Sequence, residues 1–280
     1  MAASFPRWQF VSTLTIAVLS SVSTVLGLVR PGQYPPELLP QFRIQDLVIL
    51  GVGVPALAVG LWYTTRGSVR GRFVWLGALA YMTYMWASVG LQVPFTQFFL
   101  GYVLLFSLSL FTFVAATAET DVNAVRPALD LRLSERVYGA FLLLIAVGLA
   151  SLWLAELLPA TRSGTPPLLV AELGPQALVS HFLDLGVVVP ALAITGTWLW
   201  HRRPWGYVLG GVALVFGALL APTITGMTVA LVVTGAVTVP PVALVLTVLP
   251  ATVAAVLAVT YLRTVSGTGA RTTDGRTETT

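Results

Sequence analysis

Long apolar runs separated by short polar stretches dominate the pattern of hydrophobic and polar positions along the chain. A helix needs about 17–25 mainly apolar residues to cross the hydrocarbon core of a bilayer. The pattern therefore predicts an all-α transmembrane fold, an eight-helix bundle. The eight predicted spans are Phe10–Val29, Leu47–Thr65, Phe73–Val93, Phe95–Thr117, Val137–Leu158, Val179–Trp200, Trp205–Ala221 and Val242–Leu262.

A further apolar stretch, Pro222–Val239, leaves three alternatives open: a ninth span, a re-entrant segment, or an extension of the seventh helix. All 15 basic residues are arginines, and with eight spans 12 of them lie on the side of the N-terminus. A ninth span would change the 12-to-3 division to 9 to 6. Because cytoplasmic loops carry the excess of basic residues, this favours eight spans, with both termini cytoplasmic. The predicted location is the inner (cytoplasmic) membrane of a prokaryote.

Composition supports a lipid environment and narrows the chemistry. The chain of 280 residues is 56% hydrophobic and 9% charged, whereas soluble domains carry about 25% charged residues. The arginines are scattered between apolar runs, so we expect the bilayer as partner and no nucleic acid. Lysine and cysteine are absent, which excludes lysine Schiff bases, disulfides and thiolate ligands. No cofactor is predicted, and a homo-oligomer is left open.

The sequence also repeats itself. At a shift of 135 residues, Pro31–Gly60 aligns without a gap to Pro166–Thr195, and 13 of 30 positions are identical. Apolar matches carry little weight, but the motif E-L-x-P-Q recurs in a polar connection. We therefore predict two parallel four-helix repeats. The resulting domains are a first repeat (1–118), a cytoplasmic connector (119–136), a second repeat (137–265) and a disordered polar tail (266–280).

Each predicted repeat has a proline at the same depth of its second helix, Pro55 in the first and Pro190 in the second. Proline removes a backbone hydrogen bond and bends a helix, so a kink is expected at both positions. Parallel repeats occur in secondary transporters, with sites near the repeat interface. A duplicated bundle without a transport role is the alternative.

Several motifs resemble one known family. Y-P-P-E-L-x-P, Q-D-L-V and R-G-S-V-R-G-R in the first half, with H-F-L-D-L-G-x-V-V-P and L-W-H-R-R-P-W-G-Y-V-L in the second, are similar to a family of prokaryotic membrane proteins of about eight spans. The likeness covers roughly residues 20 to 220. It implies the polytopic architecture and no particular activity.

Few ionisable residues fall near the predicted spans, and such residues usually mark function. Asp46 opens the second span, and His181 takes the aligned position in the second repeat. Asp184 follows one turn after His181, on the same helix face. Glu37 and Glu172 lie in the preceding outer connections. These five residues are the candidates for a proton, cation or metal site, the alternative being that the aspartates cap helices at the interface.

Three functions remain open from the sequence. A transporter of a small solute or ion predicts that Asp46, His181 and Asp184 converge near a water-filled cavity. A membrane enzyme acting on a lipid or quinone predicts a lateral opening beside His181. A non-catalytic membrane subunit predicts no cavity. The chain lacks known metalloprotease, nucleotide-binding and serine-hydrolase motifs, which argues against an enzyme.

Overall fold

The computed structural model describes residues 5–30, 32–129, 134–234 and 241–265. Within these ranges the chain is helical, with an isolated pair of bridged residues, Leu129 and Val265, instead of a sheet. The α-helices are α1 (Arg7–Val29), α2 (Leu39–Val48), α3 (Val54–Thr65), α4 (Val69–Gln92), α5 (Phe99–Ala118), α6 (Val122–Val125), α7 (Glu135–Ser163), α8 (Leu168–Leu173), α9 (Leu178–Leu183), α10 (Val189–Trp200), α11 (Pro204–Thr234) and α12 (Pro241–Arg263). Two π-helical turns, π1 (Ile49–Gly53) and π2 (Asp184–Val188), join α2 to α3 and α9 to α10.

Seven helices in the described part of the chain are long and apolar enough to cross a membrane. Short connections reverse the chain between them, so neighbouring spans run antiparallel. The prediction of an all-α transmembrane protein is confirmed at this level. The eighth predicted span coincides with α12. The spans are Arg7–Val29, Leu39–Thr65, Val69–Gln92, Phe99–Ala118, Glu135–Ser163, Pro175–Trp200 and Pro204–Ala230.

Two of the predicted boundaries need correction. The second span begins at Leu39 instead of Leu47, since the helical chain runs through a polar stretch that hydropathy alone rejects. The stretch Pro222–Val239 continues α11 as far as Thr234, with Pro222 inside the helix. Of the three alternatives for this stretch, the structure supports an extension of the seventh helix. Residues 235–239 and the predicted tail lie outside the described residues.

Helix α4 occupies the centre of the bundle. It packs against α1, α3, α5 and α11, and its largest side chains, including Trp75, Tyr81 and Trp86, are fully buried. Gly77 permits the close approach of α11, because a Cβ atom there would lie 2.5 Å from Val215 Cγ1. Because α4 is central, its side chains contact helices from both halves of the chain.

The π-helical turns stand 135 residues apart, residue for residue, and each is followed by a 12-residue α-helix. Pro55 and Pro190 are the second residues of these α-helices. A proline ring collides with the carbonyl four residues earlier, and the wider π-turn relieves that contact. The structure thus departs from α-helical geometry at the π-turn before each proline. The two predicted kinks stay predictions.

The contact between each of these helices and the next span is also alike in the two halves. A Cβ atom at Gly71 would lie 2.5 Å from Tyr63 Cβ, and one at Gly206 would lie 2.5 Å from the backbone of Trp198 and Leu199. In both places, a glycine in the first turns of the next span lets two antiparallel helices touch at backbone distance. Tyr63 and Trp198 are again 135 positions apart.

Candidate functional site

Asp46 lies inside a membrane-spanning helix and is almost completely enclosed. It follows seven residues after the start of α2, and 2% of its surface is exposed. Tyr34, in the connection between α1 and α2, donates its hydroxyl to Asp46 Oδ2 at 2.9 Å. The Tyr34 ring stacks on Phe42, one turn before Asp46 on the same face, with 4.6 Å between centroids. This stacking fixes the phenol over the carboxylate.

Helix α1 closes the other side of this cluster. A Cβ atom at Gly27 would lie 2.1 Å from Asp46 Oδ2 and 2.5 Å from the Tyr34 hydroxyl. Position 27 therefore requires glycine for packing. The pKa of Tyr34 is raised well above its ordinary value, first by burial and then by the neighbouring Asp46 carboxylate and Tyr102 phenol. The phenol stays protonated and acts as a donor to Asp46.

Three buried glutamines lie in the connection before α2 and in α2 itself. Gln41 and Gln45 occupy the buried face of α2, and Gln33 precedes Tyr34. In each amide one polar atom is buried without a hydrogen-bond partner within the described residues: Gln33 Oε1, Gln41 Nε2 and Gln45 Nε2. Buried polar groups are almost always paired with protein or with ordered water. This part of the molecule therefore has unused hydrogen-bonding capacity close to Asp46.

A second cluster surrounds Asp184, the first residue of π2, which is 8% exposed. Tyr84 on α4 donates its hydroxyl to Asp184 Oδ1 at 2.8 Å, and Trp153 on α7 donates its indole Nε1 to Oδ2 at 2.9 Å. The carboxylate thus links three membrane-spanning elements. Both donors are neutral, so they satisfy the oxygens without supplying a counter-charge.

His181 belongs to this second cluster through its neighbours. Its ring lies 4.2 Å from the Trp153 ring, and 3% of the residue is exposed. Nδ1 is 3.0 Å from the Ala177 carbonyl oxygen, one turn earlier in the chain. Nε2 is 3.2 Å from Glu156 Oε2.

Glu156 connects His181 to α7 and α8. Its Oε2 atom lies 3.2 Å from His181 Nε2. The other Glu156 oxygen accepts the Leu169 backbone N–H at 2.8 Å, which connects α7 to α8.

The structure places the five predicted site residues as follows. His181 and Asp184 share one cluster, and the contacts of Asp46 involve different residues. Asp46 does not open its helix, and neither aspartate caps a helix N-terminus. Glu172 is exposed in α8, and Glu37 lies in the 3₁₀ turn Pro36–Leu38. Convergence of Asp46 with His181 and Asp184 stays a prediction.

Sequence reasoning missed three residues of these clusters: Tyr34, Trp153 and Glu156. Glu156 carried a usable signal, because it is an ionisable residue inside the predicted span Val137–Leu158. Trp153 lies one turn earlier on the same face of that helix. Tyr34 carried no comparable signal, since it lies in a connection whose path is set by tertiary packing.

Two cavities of the molecule lie apart from these clusters. One cavity of ≈ 350 Å³ is lined by Arg30, Gly32, Gln33, Thr96, Gln97 and Phe98, and another of ≈ 400 Å³ lies between α1 and α5 with an apolar lining. Neither is lined by Asp46, His181 or Asp184. The His181 side chain is enclosed, with 3% of the residue exposed. Among the described residues, no group of three His, Asp or Glu side chains could hold a metal ion.

Comparison with protein-family models, with curated proteins and with solved structures finds no match. The family resemblance carried by the sequence motifs therefore stays an expectation. The helices themselves define the class: this chain is a multi-pass integral membrane protein whose interior holds two polar clusters.

Proposed function

We propose that this protein is a transporter that moves a small solute or ion across the membrane, with Asp46 and Asp184 as the groups that bind and release a proton or cation. The observation that carries the proposal is the state of these two carboxyl groups. Each lies buried inside a candidate span, and neither belongs to an ion pair among the described residues.

The energetic argument follows from the bilayer. A charged side chain at mid-depth costs at least about 2.5–3.5 kcal/mol, so an ionisable residue is retained there for a function in most membrane proteins. Tyrosine and tryptophan donors stabilise the carboxylates without cancelling their charge. A carboxyl group in such a place binds a proton or a cation favourably, and it releases it when water reaches the site.

The repeat supports the same proposal. The π-turns, the prolines after them and the glycine contacts recur at a spacing of 135 residues. We attribute this to duplication of a four-helix unit, with α4 and α11 as the central pair. Two like units that pack around such a pair provide the kind of interface at which parallel-repeat transporters place their sites. π-turns are themselves frequent at functional sites.

The test is flux in proteoliposomes that contain the full chain. Proton movement under an imposed pH or potassium-diffusion gradient is followed with a trapped pH dye, with and without a mixture of amino acids, sugars and inorganic ions. We expect flux that Asp46→Asn and Asp184→Asn abolish. Glu172→Gln is the matched control: the structure places Glu172 at the surface, so the proposed site does not include this predicted residue, and flux is expected to stay unchanged.

The proposal is contradicted if no flux occurs under any gradient although the protein inserts into the membrane and has its normal stability. Equal flux in the native protein and both aspartate variants contradicts the assignment of the site. The enzyme alternative has no comparable support, because the side chain that it requires at the lipid boundary, His181, is enclosed.

A further inference from the structure

The polar cavity at the end of the bundle lies between two connections that are distant in sequence. Arg30, Gly32 and Gln33 come from the α1–α2 connection, and Thr96, Gln97 and Phe98 come from the α4–α5 connection. Arg30 lies over the Phe98 ring at 5.7 Å, which joins the two connections across the cavity. A volume of ≈ 350 Å³ has room for about ten water molecules at ~30 Å³ each.

Gln33 connects this cavity to the interior. It lines the cavity, yet only 6% of it is exposed, so most of the side chain lies in the protein. Its Nε2 donates to the Tyr102 hydroxyl at 2.9 Å, and its Oε1 is buried without a partner among the described residues. A buried amide oxygen of this kind is normally satisfied by an ordered water molecule. The cavity beside it has room for one.

Tyr102 and Tyr34 continue the polar path. The Tyr102 oxygen accepts from Gln33, and the hydroxyl group also interacts with the Ser23 side chain. Tyr102 is close enough to Tyr34 to contribute to the raised pKa of that phenol, after burial and the Asp46 carboxylate. Tyr34 then donates to Asp46 at 2.9 Å. In the described part of the chain, Tyr34 and Tyr102 are the titratable groups that interact with Asp46.

We propose that this cavity is the aqueous entrance for the proton that binds Asp46, and that Gln33, Tyr102 and Tyr34 form the path between them. A hydrated proton enters beside Gln33, whose amide holds the Tyr102 hydroxyl in place. Intervening water and the hydroxyl groups of Tyr102 and Tyr34 each accept one proton and release another, so that Asp46 Oδ2 receives the last one and every hydroxyl group is restored. Proton transfer along such a chain forms and breaks O–H bonds in sequence, so no other reactant is needed. The inference rests on the proposed function, and it identifies the proton as the ligand of Asp46.

The experiment measures protonation of Asp46 directly. Full-length protein in lipid is taken through a rapid pH change while infrared absorption follows the carboxyl band that Asp46→Asn removes. We expect Gln33→Leu and Tyr102→Phe each to slow the appearance of this band by roughly tenfold or more, since each removes a hydrogen-bonded link. The band that Asp184→Asn removes is unaffected. Gln176→Leu, whose amide contacts the Leu173 carbonyl, is the control glutamine.

A second arm does not depend on the folding of these variants. The chain has no cysteine, so Gln97→Cys offers a single thiol in the cavity lining. Labelling the folded protein with a bulky, membrane-impermeant thiol reagent fills the entrance. We expect labelling to slow Asp46 protonation, whereas the same label on Thr165→Cys, in the exposed α7–α8 connection, leaves it unchanged.

The assignment of this cavity as the entrance would be overturned if Asp46 were protonated at an unchanged rate in Gln33→Leu, Tyr102→Phe and the labelled Gln97→Cys protein. That result differs from failure of the transport proposal. Infrared kinetics report proton access to Asp46 even in protein that shows no flux, and flux that depends on Asp46 survives if the proton arrives by another route.

Discussion

Gly27 provides the most direct test of the Asp46 cluster. In Gly27→Ala the new methyl group would lie 2.1 Å from Asp46 Oδ2 and 2.5 Å from the Tyr34 hydroxyl, closer than the 3.0 Å limit of real Cβ contacts. The carboxylate must therefore move and lose its hydrogen bond from Tyr34. The Gly27 site lies in the last turn of α1, whose position is fixed by contacts with α2, α3 and α5.

The magnitude follows from two effects that destabilise Gly27→Ala and one that stabilises it. Overpacking a well-packed interior costs about 1–3 kcal/mol, and loss of a hydrogen bond to a charged group costs about 1.5–3 kcal/mol. Alanine recovers about 1 kcal/mol of helix propensity relative to glycine. We therefore expect Gly27→Ala to lower the free energy of unfolding by about 1.5–5 kcal/mol. Gly101→Ala in α5, where a Cβ atom meets nothing within 4 Å, is expected to be neutral or slightly stabilising.

Reversible unfolding in mixed micelles, followed by tryptophan fluorescence, measures both variants. In an Asp46→Ala background the clash with the carboxylate is absent, so Gly27→Ala should cost distinctly less there than in the native protein. If Gly27→Ala is as stable as Gly101→Ala, or costs the same with and without Asp46, the packing of α1 on this carboxylate is wrong.

Three further predictions concern other parts of the molecule. Tyr84→Phe and Trp153→Phe should each lower the free energy of unfolding by about 1–3 kcal/mol, because each removes a donor to a buried carboxylate; in an Asp184→Ala background both effects should shrink, and full persistence would exclude these bonds as the cause. Gly71→Ala and Gly206→Ala should destabilise by similar amounts, about 1–3 kcal/mol each, since each new Cβ atom would lie 2.5 Å from an atom of the preceding helix; a large cost at one position alone would argue against equivalent helix pairs. Finally, Thr165→Cys should react with an impermeant thiol reagent in intact cells and Asn123→Cys only after lysis, as the arginine distribution predicts; the reverse pattern would invert the topology.

The spans could be predicted because a bilayer requires a long apolar segment, and hydropathy detects it directly. The second span shows where this fails. Gln41, Gln45 and Asp46 interrupt the apolar run, so hydropathy places the start of the span after them. In the structure these residues lie on the buried face of α2, and the helix begins at Leu39. A sliding average treats inward-facing polar residues as a loop. The i,i+4 spacing of Gln41 and Gln45 was the available signal for a helix with a polar interior face.

The candidate site was predictable only in part for a related reason. Asp46, His181 and Asp184 stand out in sequence as ionisable residues among apolar ones. Their partners come from other elements: Tyr84 from α4, Trp153 and Glu156 from α7, and Tyr34 from a connection. Aromatic residues in membrane segments are common, and nothing in one sequence tells a hydrogen-bond donor from a packing residue. Only tertiary structure makes that assignment.

The two clusters differ in a way that matters for the proposed transport. Asp46 and His181 occupy equivalent positions of the two halves, one turn before equivalent π-turns. Asp46 has one donor and lies beside amides with unused capacity, so water can replace its partner at small cost. Asp184 has two donors from two helices, Tyr84 on α4 and Trp153 on α7. We therefore expect Asp46 to exchange a proton with solvent more readily than Asp184, because exchange at Asp184 must displace donors from two helices.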